Sequence, residues 1–164
     1  MPAKIERKKA PSRSERLALL PASLEIYITG ACNLRCDYCS SRPLLNAPAK
    51  KLAWPQVERA IDLFASYTDP AGDGRGDTKF RVIGLTGGEP LLEFDLAARA
   101  VEHIRRRYKW LSVTLSTNGT LLDREKAEFL LARDVDLTVS LDAPRRATDA
   151  HRRFAAGGGS VYGR

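Results

Sequence analysis

Cysteine, histidine and methionine are scarce in this chain, numbering three, two and one among 164 residues. Three cysteines cannot pair off, and all of them fall within one short stretch, which is poor disulfide geometry and points to a reducing compartment. The two histidines, His103 and His151, lie far downstream of those cysteines and neither has finger-like spacing, so a four-ligand zinc finger lacks its last partner. No run approaches the roughly 20 apolar residues of a membrane span. The opening segment is charged and has no apolar signal-peptide core. A cytoplasmic protein with no membrane partner is therefore expected. No Ser-His-Asp arrangement or paired carboxylates stand out, which leaves ordinary nucleophilic and acid–base mechanisms without candidates.

What the chain has in quantity is positive charge: 27 Lys and Arg against 20 Asp and Glu give a net +7. Lys4, Arg7, Lys8, Lys9, Arg13 and Arg16 outweigh Glu6 and Glu15 near the start, so residues 1–21 read as a basic, disordered tail and 22–164 as one folded domain. The runs Arg105–Arg107, Arg145–Arg146 and Arg152–Arg153 read first as solvated faces. Arg75-Gly76-Asp77 lies in a stretch rich in Gly, Pro and Asp, and is an ordinary turn.

Four apolar, strand-like segments alternate with helical ones. Leu24–Thr29, Phe80–Thr86, Leu111–Ser116 and Val135–Leu141 read as strands. Between them, Val57, Ala60, Ile61 and Phe64 mark one helix opened by Trp54-Pro55, while Ala97, Val101, Ile104 and Tyr108 mark a second. Asp123 caps a third, which carries Ala127, Leu130 and Leu131. This order predicts an α/β fold with a parallel sheet and right-handed crossovers, and a site in the loops beyond the carboxyl ends of the strands.

The first such loop holds Cys32, Cys36 and Cys39. Three thiolates from one loop suit zinc, Cu(I) or an iron–sulfur cluster. The segment Cys32-Asn33-Leu34-Arg35-Cys36-Asp37-Tyr38-Cys39 resembles the cluster loop of the radical S-adenosylmethionine (SAM) superfamily. The other loops agree. Gly87-Gly88-Glu89-Pro90 resembles the family's Gly-Gly-Glu-Pro segment, and Ser116-Thr117-Asn118-Gly119 resembles its Thr-Asn-Gly turn. Ser140-Leu141-Asp142-Ala143-Pro144 is similar to the Ser-Leu-Asp-Gly-Pro segment of members that modify peptides and proteins, such as sulfatase maturases. The chain departs from those members at Ala143, Thr148 and His151.

The resemblance implies a parallel-stranded partial (β/α) barrel, of which about four strand–helix units are legible here, so the core domain is expected to be incomplete at its C-terminus. It implies a [4Fe–4S] cluster held by Cys32, Cys36 and Cys39, with one iron open to SAM. Tyr38 would lie along the adenine. Gly87, Gly88 and Glu89 would accommodate the amino end, Ser116 and Asn118 would border the cofactor, and Ser140 would bond the ribose. Arg152 would meet the carboxylate. Gly88 and Arg152 would thus bind SAM without holding the cluster. The implied reaction is reductive cleavage of SAM to methionine and a 5′-deoxyadenosyl radical that takes hydrogen from a peptide or protein, fed by a donor such as flavodoxin or ferredoxin. An iron–sulfur module without turnover and a nucleoside- or RNA-modifying enzyme are the alternatives, and nucleic acid is not the expected partner.

Overall fold

The computed structural model describes residues 21–40, 50–68 and 81–164. The expected basic tail and the Arg75-Gly76-Asp77 turn lie outside the described residues. Strand β1 (Ser23–Thr29) is followed by helix α1 (Trp54–Thr68), β2 (Val82–Gly87), a 3-10 turn (Pro90–Glu93), α2 (Phe94–Arg107), β3 (Ser112–Thr117), α3 (Arg124–Leu131), β4 (Val135–Val139) and α4 (Arg145–His151). The strands form one sheet in the order β1-β2-β3-β4, every neighbour parallel. This is the predicted α/β architecture. Because every crossover returns the chain to the same edge, the loops after β1, β2, β3 and β4 all emerge together.

Alternation along the strands decides which face the helices cover. Ile26, Ile28, Ile83, Leu85, Val113, Leu115 and Val135 are buried with Val57, Ile61 and Phe64 of α1, Ala97, Ala100, Val101 and Ile104 of α2, and Leu130 of α3. Each fully buried Ile or Leu contributes about 1.5–3 kcal/mol of transfer free energy. The alternate positions are polar: Thr114 pairs with Asp136 and Ser116 with Thr138. An apolar face under helices and a polar face away from them follow from period-two side-chain alternation.

Local chemistry sets the boundaries. Asp123 caps α3 by accepting from the Lys126 amide at 2.8 Å. Strand β4 ends two residues earlier than its apolar pattern suggests, because the chain turns away after the Ser140 amide donates to the Thr117 carbonyl at 2.9 Å. Helix α4 has no apolar stripe and therefore carries no periodic signal. His103 is a satisfied core histidine, 5% exposed, its Nε2 within 2.7 Å of Asp62 Oδ1.

Candidate functional site

The cysteine loop leaves the top of β1 and is gripped from both sides. On one side the Gly88 amide donates to the Thr29 carbonyl and the Glu89 amide to the Ala31 carbonyl, each at 2.8 Å. A Cβ on Gly88 would stand 2.2 Å from the Ala31 oxygen, and one on Gly87, whose φ is +144°, would stand 2.4 Å from the Thr29 oxygen. These two glycines let the loops after β1 and β2 touch backbone to backbone. Gly88 therefore bears on the cysteine loop itself, although the two are far apart in sequence.

On the other side, the segment after α4 runs antiparallel to the loop. The Arg35 amide donates to the Arg153 carbonyl at 2.7 Å, Asp37 to His151 at 3.0 Å and Ala155 to Asn33 at 2.9 Å, around a Leu34–Phe154 bridge. Leu34 is 2% exposed and anchors the loop in the body of the domain.

Glu89 was expected to face an amino group. It is fully buried, and its carboxylate accepts from the Leu91 amide (3.0 Å), the Thr117 hydroxyl (2.7 Å) and the Asn118 amide (2.8 Å). It ties the β2 loop to the end of β3 and is turned inward. Asn118 extends the tie: its Nδ2 donates to Asn33 Oδ1 at 2.8 Å and lies 3.9 Å from the Cys32 sulfur, while its Oδ1 accepts from Thr120. Asn33 in turn donates to the Thr120 hydroxyl at 2.8 Å. Asn33 stands in the cysteine motif, but Thr120 carries no signal of its own, and their pairing joins segments 87 residues apart.

A second network joins Tyr38, Asp142 and Arg152. The Tyr38 hydroxyl donates to Asp142 Oδ2, to which Arg152 Nε also donates at 2.9 Å, and the guanidinium sits 5.4 Å from the Tyr38 ring centroid. Burial and the bond to Asp142 push the Tyr38 phenol up to about 12. Hydrogen bonds from Arg152 and Tyr38 hold the Asp142 carboxyl below the usual range. Thr148, buried in α4, donates to the Asp142 carbonyl and fixes the same turn. Asp142 is thus the hub, though the sequence offered it only as one letter of a motif. Ser116 is half-buried at the end of β3, and Ser140 is half-buried just after β4.

All three cysteines are free and half-buried. Burial raises the Cys32 and Cys36 thiols above their ordinary value, partly offset at Cys32 by the Leu34 amide and at Cys36 by the Arg152 charge. Among the described residues no three His, Cys, Asp or Glu side chains meet at a point where one ion would sit. A cubane spreads three thiolates over three separate irons, so this soft, three-sulfur donor set in one loop fits such a cluster.

The family profile described as "Radical SAM superfamily" matches residues 26–162. Similar curated proteins include a GTP 3',8-cyclase of Paenarthrobacter nicotinovorans, 31% identical over 82% of this chain and 35% of the relative. Another is an Fe-coproporphyrin III synthase of Methanosarcina barkeri, 34% identical over 76% of this chain and 28% of the relative. A solved structure of native anSMEcpe with bound AdoMet superimposes with a TM-score of 0.68 at 23% identity, covering 86% of this chain and 37% of that one. The chain spans about a third of the length of these proteins. Among the described residues no helix is long and apolar enough to cross a membrane.

Proposed function

Because this chain belongs to the radical SAM superfamily, whose cofactors are a [4Fe–4S] cluster and SAM, we propose that it forms the cofactor-binding part of an enzyme that abstracts hydrogen from a peptide or protein. Cys32, Cys36 and Cys39 hold the cluster. When bound and reduced, it supplies the electron that cleaves a carbon–sulfur bond of SAM.

The observation that carries this reading is the doubly gripped cysteine loop, with the Tyr38–Asp142–Arg152 network at its end. A loop held by backbone on both flanks keeps three thiols in place before any iron arrives, which lowers the ordering cost of assembly. Tyr38 offers an aromatic face that is 54% exposed, suited to an adenine. Ser116 and Ser140 offer hydroxyls for the ribose, and Arg152 offers a guanidinium for a carboxylate. Gly87, Gly88, Glu89 and Asn118 act one step back, holding the loop against β2 and β3.

Peptide as substrate is favoured by the Ser140–Pro144 segment. A nucleotide substrate is the second reading, and the 31% identity to a GTP 3',8-cyclase favours it. Anaerobic reconstitution tests the core of the proposal: about four irons per chain are expected, and any one of Cys32→Ala, Cys36→Ala or Cys39→Ala abolishes the cluster. Tight stoichiometric zinc that iron does not displace, or a cysteine variant with full iron, would overturn it.

A further inference from the structure

We propose that the outer face of the ribbon formed by residues 33–37 and 151–155 is the docking surface for an acidic one-electron carrier protein. This rests on the reading of the chain as a radical SAM protein, and adds where the electron enters.

Charge on the ribbon is uneven in a consistent way. Arg35 and Arg153 are cross-strand neighbours, joined through their backbones at 2.7 Å, and both side chains are exposed. Neither has a carboxylate partner among the described residues. The Arg153 guanidinium is steadied by the Ala150 carbonyl at 3.1 and 2.9 Å, which orients its charge without cancelling it. Arg164 adds a third cation, 5.9 Å from the Phe154 ring. Of the carboxylates nearby, Asp142 is matched to Arg152 at 2.9 Å and Asp37 lies 3.3 Å from His151 Nδ1, so the three arginines face at most one unmatched carboxylate. What faces solvent is net positive.

Position gives this charge its meaning. Arg35 stands between Cys32 and Cys36 in the loop itself, so a partner seated on it rests on the loop that carries the thiols. All three cysteines of this chain lie in this loop, which makes it the point of electron entry in the proposal. The Tyr38–Asp142–Arg152 side is the one assigned to SAM, which leaves the ribbon's outer face for the donor. In the transfer, the carrier is oxidised by one electron and the iron–sulfur centre reduced by one, with no bond or proton moved. Opposite charge steers such encounters, raising association rates by roughly 10–1,000-fold, and the effect fades with salt.

The test follows bleaching of the reconstituted centre in the full-length protein by stopped flow, with reduced flavodoxin or with dithionite as the reductant. Arg35→Glu/Arg153→Glu should slow reduction by flavodoxin about tenfold or more at low salt. The milder Arg35→Gln/Arg153→Gln should slow it less. Added salt should slow wild type and spare the reversed variant, and iron content and the dithionite rate should stay at wild-type values. Arg59→Glu, an exposed reversal on α1, should have no effect. Unchanged flavodoxin rates in both double variants, or an equal loss in Arg59→Glu, overturn the docking surface. So does a reversal that spares flavodoxin but abolishes retention of a single-stranded RNA oligonucleotide, which would make the face a nucleic-acid site. If wild type fails to bleach even with dithionite, the radical SAM reading has failed and takes the docking surface with it.

Discussion

Gly88 lies against the carbonyl of Ala31 so closely that a Cβ on it would stand 2.2 Å from the oxygen and 2.6 Å from the carbon. Both atoms are backbone, and the contact sits beside two 2.8 Å hydrogen bonds that fasten the cysteine loop to β2. Nothing there gives way as a flexible side chain would. Gly88→Ala is therefore expected to lose about 1–3 kcal/mol of stability and to shift the loop. Iron bound on reconstitution should fall with it, and Gly88→Val should be worse. Urea unfolding and iron assay check this. Full iron content in Gly88→Val would mean the loop accommodates the side chain.

Glu89 makes the same junction rigid from inside. Its carboxylate is buried and accepts three hydrogen bonds, two of them from backbone amides that would otherwise be unsatisfied. Glu89→Gln keeps the shape but turns a donor toward a donor. It should cost about 1–3 kcal/mol, the range for leaving a buried polar group unpaired. Thr117→Val removes one of the three bonds and should cost less. Equal stability of Glu89→Gln and wild type in urea would remove Glu89 from this role.

The strands, the helices and the parallel sheet were legible in the sequence because strand-like and helical segments alternate, and such patterns report which face is buried. The loops were legible as motifs, yet their inner workings were not. Gly88 and Glu89 look like ligand contacts in a one-dimensional reading, whereas their nearest partners are Ala31, Thr117 and Asn118, brought in by the parallel register. Asp142 lies 104 residues from Tyr38, and no local pattern encodes that pair. Helix α4 is not legible because its polar residues carry no stripe, and Thr148 alone is buried there.

Asp142 serves Arg152 and Tyr38 at once, so deleting it and deleting Arg152 should not be independent. In the full-length reconstituted protein, Arg152→Ala and Asp142→Ala are each expected to weaken SAM binding about tenfold, equivalent to about 1.4 kcal/mol. The double variant should lose little more than either single one, leaving a coupling within the usual 0.5–3 kcal/mol for contacting residues. A SAM titration followed by the paramagnetic resonance signal of the reduced cluster measures all four proteins. Strict additivity would show that Arg152 does not depend on Asp142 for its position.

Where α1 and α2 meet, away from the cysteines, Asp62 accepts from Tyr108 and is bonded to His103, both at 2.7 Å, with Glu58 3.8 Å from the other ring nitrogen. Burial opposes ionisation of Asp62, but the His103 and Tyr108 bonds outweigh it and hold the carboxyl below its ordinary value of 3.8. A depressed carboxyl pKa stabilises the fold above the unfolded-state pKa, and that contribution is lost as pH falls through the folded one. Wild type should therefore exceed Asp62→Asn in stability by a constant margin at neutral pH. The margin should start to shrink as pH drops toward 3.8 and go on shrinking below it. Tyr108→Phe, which removes one of the two bonds, should show a smaller version of the same loss. Urea unfolding in steps from about pH 7 to 3 supplies the curves. A margin that grew toward acid would mean that Asp62 is held protonated in the folded state, and the sign argued here would be reversed.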